Sequence, residues 1–130
     1  MASVEPRFLS EEEVLFLHHE VLTRYGGQNG IRDINALHSA LGMPKAGFGG
    51  EYLHRDPFGM AAAYAFHVAE NQPFVDGNKR TAVACAIMFL KEAGYSLREP
   101  RRLFEAMIEV GNHRLSKDGL EALFDELSRM

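Results

Sequence analysis

Ten consecutive residues concentrate the chemistry of this chain: Gln72-Pro73-Phe74-Val75-Asp76-Gly77-Asn78-Lys79-Arg80-Thr81. Gly77 lets the backbone approach a ligand closely. The helix that follows offers unpaired N–H groups and the positive end of its dipole, which together favour an anion. Lys79 and Arg80 fall in its first turn, where a cation is mildly unfavourable unless an anion sits beside it. Asp76 suits a magnesium ion bridging phosphate oxygens, because that ion takes only one or two protein carboxylates. Phosphate recognition is thus arguable from residue types alone. For an isolated Asp-Gly-Asn turn a plainer account stays open: Asp76 or Asn78 caps the helix, and the two cations are solvated.

Helical signals flank this turn on both sides. Ser10-Glu11-Glu12-Glu13 is a capping box, followed by an apolar stripe of Val14, Leu15, Leu17, Val21, Leu22 and Tyr25 that Gly26-Gly27 ends. A second helix begins at Asp33, carries Ala36, Leu37, Ala40 and Leu41 inward, and stops at Gly42 and Pro44. Asp56-Pro57 opens a third, and Met60 to Ala69 is so apolar that this helix must be buried nearly all round. The loop Gln72 to Gly77 leads into a fourth, from about Asn78 to Ala93, which Gly94 closes. Pro100 opens a fifth helix that ends at Gly111, and Ser116 caps a sixth. Between the second and third helices, Gly42 to Asp56 is glycine-rich with isolated apolar residues. It reads either as a mobile loop or weak hairpin flap, or as a plain connector. Strand signals are almost absent. The expected fold class is all-α, a bundle of about six helices over a single domain, residues 1–130. A polar turn between its two most apolar helices is an odd place for charges unless they act.

Composition narrows the function. With 130 residues, 46% hydrophobic and 25% charged, the chain has room for one ordinary globular core and is not a disordered tail. A formal net charge of -4 argues against wholesale coating of nucleic acid. One cysteine, Cys85, excludes an internal disulfide and a cysteine-based zinc cluster. The longest apolar run, Ala82 to Leu90, is less than half of the ~20 residues a membrane span requires. Met1 to Phe8 carries acid, proline and arginine where a secretory leader would have an apolar core. A cytoplasmic protein with no membrane partner is the expectation.

Taken whole, the string at 72–81 resembles the signature of the Fic/Doc (Fido) superfamily, in its death-on-curing (Doc) branch: His-Pro-Phe-x-Asp-Gly-Asn-Lys-Arg-Thr. Pro73, Phe74, Asp76, Gly77, Asn78, Lys79, Arg80 and Thr81 match. The resemblance extends through Arg24-Tyr25-Gly26-Gly27, the apolar helix before the motif, and Phe89-Leu90 with Gly94-Tyr95, roughly Phe8 to Leu127. It implies a compact helical Fido fold whose flap, here Gly42 to Asp56, aligns a protein substrate. It implies that Asp76 takes the magnesium position and that Gly77, Asn78, Lys79 and Arg80 cradle the nucleotide phosphates, with Phe74 the buried anchor of the loop. ATP and Mg2+ are the implied cofactors. Fic enzymes transfer AMP to a target hydroxyl and usually carry a small residue where Lys79 stands. Doc proteins carry lysine there and phosphorylate a threonine of elongation factor Tu, which halts translation. Lys79 therefore favours phosphate transfer over AMP transfer, and the resemblance to Doc proteins implies a translation factor as the target.

One departure matters most: the family's general base, histidine, is replaced by Gln72. An amide is not basic at physiological pH, and loss of a general base costs on the order of 10²- to 10⁴-fold in rate. Because phosphoryl transfer rests mainly on positioning and charge stabilisation, nucleotide and magnesium binding is expected to survive in a poorly active chain. Gln72 is either a natural degeneration or a substitution that spares an expressing cell, and sequence leaves both open. His67, more than a turn earlier on the preceding helix, reads as a satisfied core or rim histidine. No Ser or Thr has a Glu four residues on, as the self-inhibiting helix of many Fic proteins requires. The implied restraint is a partner antitoxin whose C-terminal segment folds into an apolar groove. Rival readings are a Fic-type adenylyltransferase and a non-catalytic nucleotide-binding Fido pseudoenzyme.

The remaining candidates have bland readings. His18-His19-Glu20 lacks HExxH spacing, so metal ligation there is disfavoured and His19 and Glu20 are expected to face solvent. Cys85 reads as a small buried packing residue, and Met43, Met60, Met88 and Met107 as core filler. Arg98, Arg101 and Arg102 form either a solvated face, the favoured reading, or a contact for an acidic partner.

Overall fold

The first helix starts where the capping box predicts. Ser10 Oγ accepts from Glu13 N–H (3.1 Å), while the Glu13 carboxylate accepts from Ser10 N–H (2.9 Å). A computed structural model describes residues 5–130, so the sequence reading of the N-terminal leader falls partly on residues 1–4, outside the described residues. Six α-helices follow in order: α1 (Glu11–Tyr25), α2 (Ile34–Gly42), α3 (Pro57–Asn71), α4 (Asn78–Glu92), α5 (Pro100–Gly111) and α6 (Lys117–Ser128). The all-α reading is correct. Asp33, Asp56 and Ser116 cap α2, α3 and α6 through their side chains, each accepting from a first-turn N–H.

The stop at Gly42 and Pro44 is incomplete. A short 3₁₀ turn, Met43–Lys45, continues from α2, and Pro44 is buried in it. Proline fits there because a first-turn N–H needs no partner. The following segment is a hairpin, not a plain connector. Strand β1 (Gly47–Phe48) pairs antiparallel with β2 (Glu51–Tyr52) across Gly49-Gly50, both with positive φ, as a two-residue hairpin turn demands. Phe48 at its tip is 94% exposed.

Helix α3 is the axis of the bundle. Gly59 through Ala65 are all buried, and α2, α4, α5 and α6 all pack on it. Alanines at 61, 62, 63 and 65 let those neighbours approach closely, while the Tyr64 ring packs against Phe89 of α4, centroids 5.4 Å apart. Its hydroxyl accepts from Leu9 N–H (2.9 Å), and burial pushes its pKa up to about 12. Helix α4 is the second central element, burying Thr81, Ala82, Cys85, Ala86, Phe89 and Leu90 against α3. Cys85 is fully buried and its thiol is pushed up to about 12, so it is an inert packing group. Met60 and Met107 are core residues, whereas Met43 and Met88 are only half-buried.

One polar joint ties the hairpin's return to the bundle. Lys117 Nζ of α6 lies 3.1 Å from His67 Nε2 on α3 and 3.5 Å from His54 Nε2 beyond β2. His67 is thus a satisfied rim histidine, as expected. Burial and then the Lys117 ammonium hold its pKa down to about 4; the same two causes lower His54, opposed by Asp118 and Asp56. Because His67 titrates lower in the folded chain than in the unfolded one (about 6.5), its neutral-state contribution is complete above about 6.5. It is lost as pH falls from there towards about 4. The expected result is a urea midpoint that declines on acidification through this window, and declines less in His67→Gln. Parallel midpoint-versus-pH curves for the two proteins would refute this assignment.

Candidate functional site

Six residues, 72 to 77, must turn the chain from α3 into α4, and their backbone groups are satisfied by segments distant in sequence. Helix α3 closes on Gln72, which adopts the left-handed conformation (φ 46°, ψ 58°), a strained choice for a residue with a Cβ. Arg32 holds it there. Arg32 Nε donates to the Gln72 carbonyl (2.6 Å) and Nη2 to the Asn71 carbonyl (2.7 Å). The stretch from Gln28 to Asp33 runs antiparallel to the turn as a strap. Arg32 N–H and Asp33 N–H both donate to Pro73 O, Val75 N–H donates to Gly30 O, and Gln28 N–H donates to Asp76 Oδ2 (3.1 Å).

The turn is pinned from beneath as well. Phe74 is 1% exposed and its ring stacks on His18 of α1, centroids 3.8 Å apart and planes 8° from parallel. His18, itself 4% exposed, sets Nε2 2.9 Å from the Asp76 carbonyl, so Nε2 carries the proton and donates. Asn78 reaches back with both ends of its amide, accepting from Phe74 N–H (3.0 Å) and donating to Phe74 O (2.9 Å). Gly27 permits the close pass of the strap, since a Cβ there would meet Asp76 Oδ2 at 3.1 Å and Leu22 Cδ2 at 2.9 Å.

All of this leaves the start of α4 open. Its N-cap is Gly77 (φ 79°), no side chain caps it, and the first intrahelical bond runs from Thr81 N–H to Gly77 O. The capping account is therefore wrong: Asp76 Oδ1 accepts from Gly77 N–H, and the Asn78 amide is spent on Phe74. The N–H groups of Asn78, Lys79 and Arg80 have no intrahelical acceptor. They border a cavity of about 430 Å³ whose walls include Gln72, Asp76, Gly77, Asn78, Lys79 and Arg80. The chain thus gathers in one place every sequence-predicted site residue except Phe74, which lies below the floor and anchors it.

Neither cation is neutralised by a carboxylate among the described residues. Lys79 runs along the last turn of α5, its Cε 3.3 Å from the Cβ position of Gly111, where the negative end of that helix favours an ammonium. Arg80 places its guanidinium over two rings, 3.9 Å from the Tyr25 centroid and 4.3 Å from that of Phe104. Asp76 is exposed at the wall, and each oxygen accepts one backbone N–H, leaving further lone pairs on both. No cluster of three metal-ligating side chains exists among the described residues. One oriented carboxylate in an open, cation-flanked pocket fits magnesium that arrives with a phosphate ligand and keeps its waters, not a metal held in a protein cage. No histidine lines the cavity among the described residues.

Sequence gives Arg32 and Phe104 no part in the site, His18 only a disfavoured metal reading, and Tyr25 only a place on the α1 stripe and in the family resemblance. His18 left a faint signal, a polar residue on the core stripe between Val14 and Val21. Tyr25 was placed on that stripe but is 55% exposed, because α1 ends there and its ring turns to Arg80. Of the arginine cluster, Arg102 pairs with Glu99 and Glu126, while Arg98 and Arg101 are exposed, which matches the solvated-face reading.

Fold and site together define a helical domain whose α3–α4 turn leaves the start of α4 uncapped beside two cations that no carboxylate pairs with among the described residues. The model of the Fic/DOC family matches residues 8–90, and the chain belongs to that family. Its relatives include Protein kinase doc of Escherichia phage P1, 29% identical over 124 residues that make up 95% of each chain. Toxin Doc of Mycolicibacterium smegmatis is 34% identical over 101 residues, 75% of this chain and 78% of the relative.

The double fixing of the turn by His18 has a measurable consequence. His18→Phe keeps the stack on Phe74 but leaves the Asp76 carbonyl without its donor, and is expected to cost about 1–3 kcal/mol in urea unfolding. An unchanged midpoint and slope would show that the bond contributes nothing.

Proposed function

We propose that this chain is a Doc-type toxin: a transferase that passes the γ-phosphate of ATP to a hydroxyl of a translation factor such as elongation factor Tu, and that is impaired as it stands. The observation that carries the reading is the open start of α4, where three backbone N–H groups and the two uncompensated cations Lys79 and Arg80 face one cavity with Asp76 and residue 72. In that arrangement the backbone amides and Arg80 bind and orient phosphate oxygens, and stabilise charge that grows on them as the bond to the leaving group breaks. Asp76 would hold magnesium, which supplies further neutralisation of the phosphates when bound. Residue 72, fixed by Arg32 at the cavity wall, stands where a base would take the attacking hydroxyl's proton. The glutamine amide cannot take it. The Gly47–Tyr52 hairpin is the element available to align the protein substrate.

Restraint by a partner antitoxin is part of the same proposal. A groove of about 560 Å³ opens beside the cavity, lined by apolar side chains of α1, α4 and α5 such as Phe16, Leu17, Val83, Ile87 and Phe104. Phe16 is 57% exposed, and a partner's amphipathic segment would cover it. Tyr25, Arg80 and Phe104 line both groove and cavity, so an occupant of the first would touch the wall of the second. The reading entails a cytoplasmic protein, and no described helix is long and apolar enough to cross a membrane.

Gln72→His is the decisive variant. Transfer of label from γ-labelled ATP, faster by about 10²- to 10⁴-fold than with the parent chain, and growth arrest only in cells expressing the variant, are the expected results. Label passing only from α-labelled ATP would make the chain an adenylyltransferase. Tight Mg-ATP binding with no transfer from either would make it a non-catalytic binding module, the reading that Gln72 itself favours.

A further inference from the structure

Arg80 carries much of the proposed phosphate contact, yet nothing ionic holds it. Among the described residues its guanidinium forms no ion pair and donates no side-chain hydrogen bond. What positions it is aromatic: Cζ sits over the faces of Tyr25, the last residue of α1, and Phe104 in α5, at 3.9 and 4.3 Å from the ring centroids. Three elements thus meet on one planar cation. Burial does not account for the Tyr25 ring being there, since it is 55% exposed and Phe104 only half-buried. Nor is either ring part of the 72–81 string. Ring faces attract a guanidinium through their quadrupole without consuming its N–H donors or its charge, and guanidinium, weakly hydrated, suits such contacts. A carboxylate in their place would fix the side chain equally well but would cancel the charge that a phosphate needs.

We propose that Tyr25 and Phe104 are positioning residues that clamp Arg80 at the cavity wall with its charge and donors free for the terminal phosphates of a nucleoside triphosphate. The inference rests on the phosphate-site reading. Without the clamp, the arginine side chain samples many rotamers and must be ordered when ligand binds, which weakens affinity.

The test is a thermodynamic cycle on the full chain, with Mg-ATP titrated calorimetrically. Tyr25→Leu and Phe104→Leu together are expected to weaken binding roughly tenfold, from two exposed cation–π contacts, while Tyr25→Phe stays within about twofold. In an Arg80→Ala background the same two leucines should cost less than about twofold more, because the arginine they position is gone. Undiminished weakening in that background would overturn the clamp, since the rings would then act on ligand or fold directly. Leucine variants that bind like the parent would overturn it too. A ligand-free readout separates this from failure of the site: the Arg80 Nε–H resonance should be shifted by ring currents in the parent and move towards the unstructured position in the leucine pair. An unshifted parent resonance refutes the clamp even if Mg-ATP binds. A shifted resonance with no heat of Mg-ATP binding refutes the phosphate reading, and the proposed purpose of the clamp with it. Thermal midpoints within a few degrees of the parent's guard against unfolding.

Discussion

The site depends on one constraint: the turn between the two most buried helices must satisfy its own polar groups without using the start of α4. Six residues reverse the chain with left-handed conformations at Gln72 and Gly77. Their carbonyls and amides are met by Arg32, by the Gln28–Asp33 strap, by His18 and by the folded-back Asn78 amide. The part-buried groups among them, Phe74 N–H and O and the Asp76 carbonyl, would cost about 1–3 kcal/mol each if left unsatisfied. With them, the turn is held from several sides and the helix start stays free. The free donors are a product of where the other hydrogen bonds go.

Charge follows the same logic. Capping by Asp or Ser is used at α1, α2, α3 and α6 but not at α4 or α5. At α5 Arg102 is paired with Glu99 and Glu126, whereas at α4 no carboxylate pairs with either cation among the described residues. Two cations stand at that uncapped start, against the preference of the helix dipole. Lys79 is drawn to the far end of α5, and Arg80 is held by rings. Each arrangement tolerates the charge without neutralising it. A surface arginine serving only solubility has no need of two aromatic faces. Asp76 is the single acid at the wall, and both its oxygens are oriented by backbone donors.

What sequence could and could not reveal divides along the range of the interactions. The capping box of α1, the side-chain caps of α2, α3 and α6, the buried face of α3 and the glycines that close helices are local, and they are legible from periodicity and cap chemistry. The ten-residue string announced the site because a polar turn between two apolar helices conflicts with its surroundings. The hairpin stayed open between flap and connector, since strands of two residues give no alternation to count. The strap was invisible: Gln28 to Arg32 has no pattern, and the Arg32 contacts span 39 and 40 residues. Tyr25 was misplaced for a related reason. Apolar spacing assigns a residue to a stripe, but at the last turn of a helix the neighbour decides where the ring goes.

Against this background, exchanging Gln72 for histidine would be a chemical change and not a structural one. The backbone at 72 is held by its carbonyl and by the Val68 bond, neither of which involves the side chain. Histidine and glutamine therefore meet the same left-handed strain and the same support from Arg32. The side chain is exposed at the cavity wall, free of packing that would select one over the other. It follows that the glutamine leaves the rest of the cavity wall intact, because the strap, the His18–Phe74 stack and the uncapped start of α4 are all fixed elsewhere. Binding and proton removal are separable in this architecture. The parts that would grip an anion are built into the fold, whereas the part that would take a proton is a single replaceable side chain.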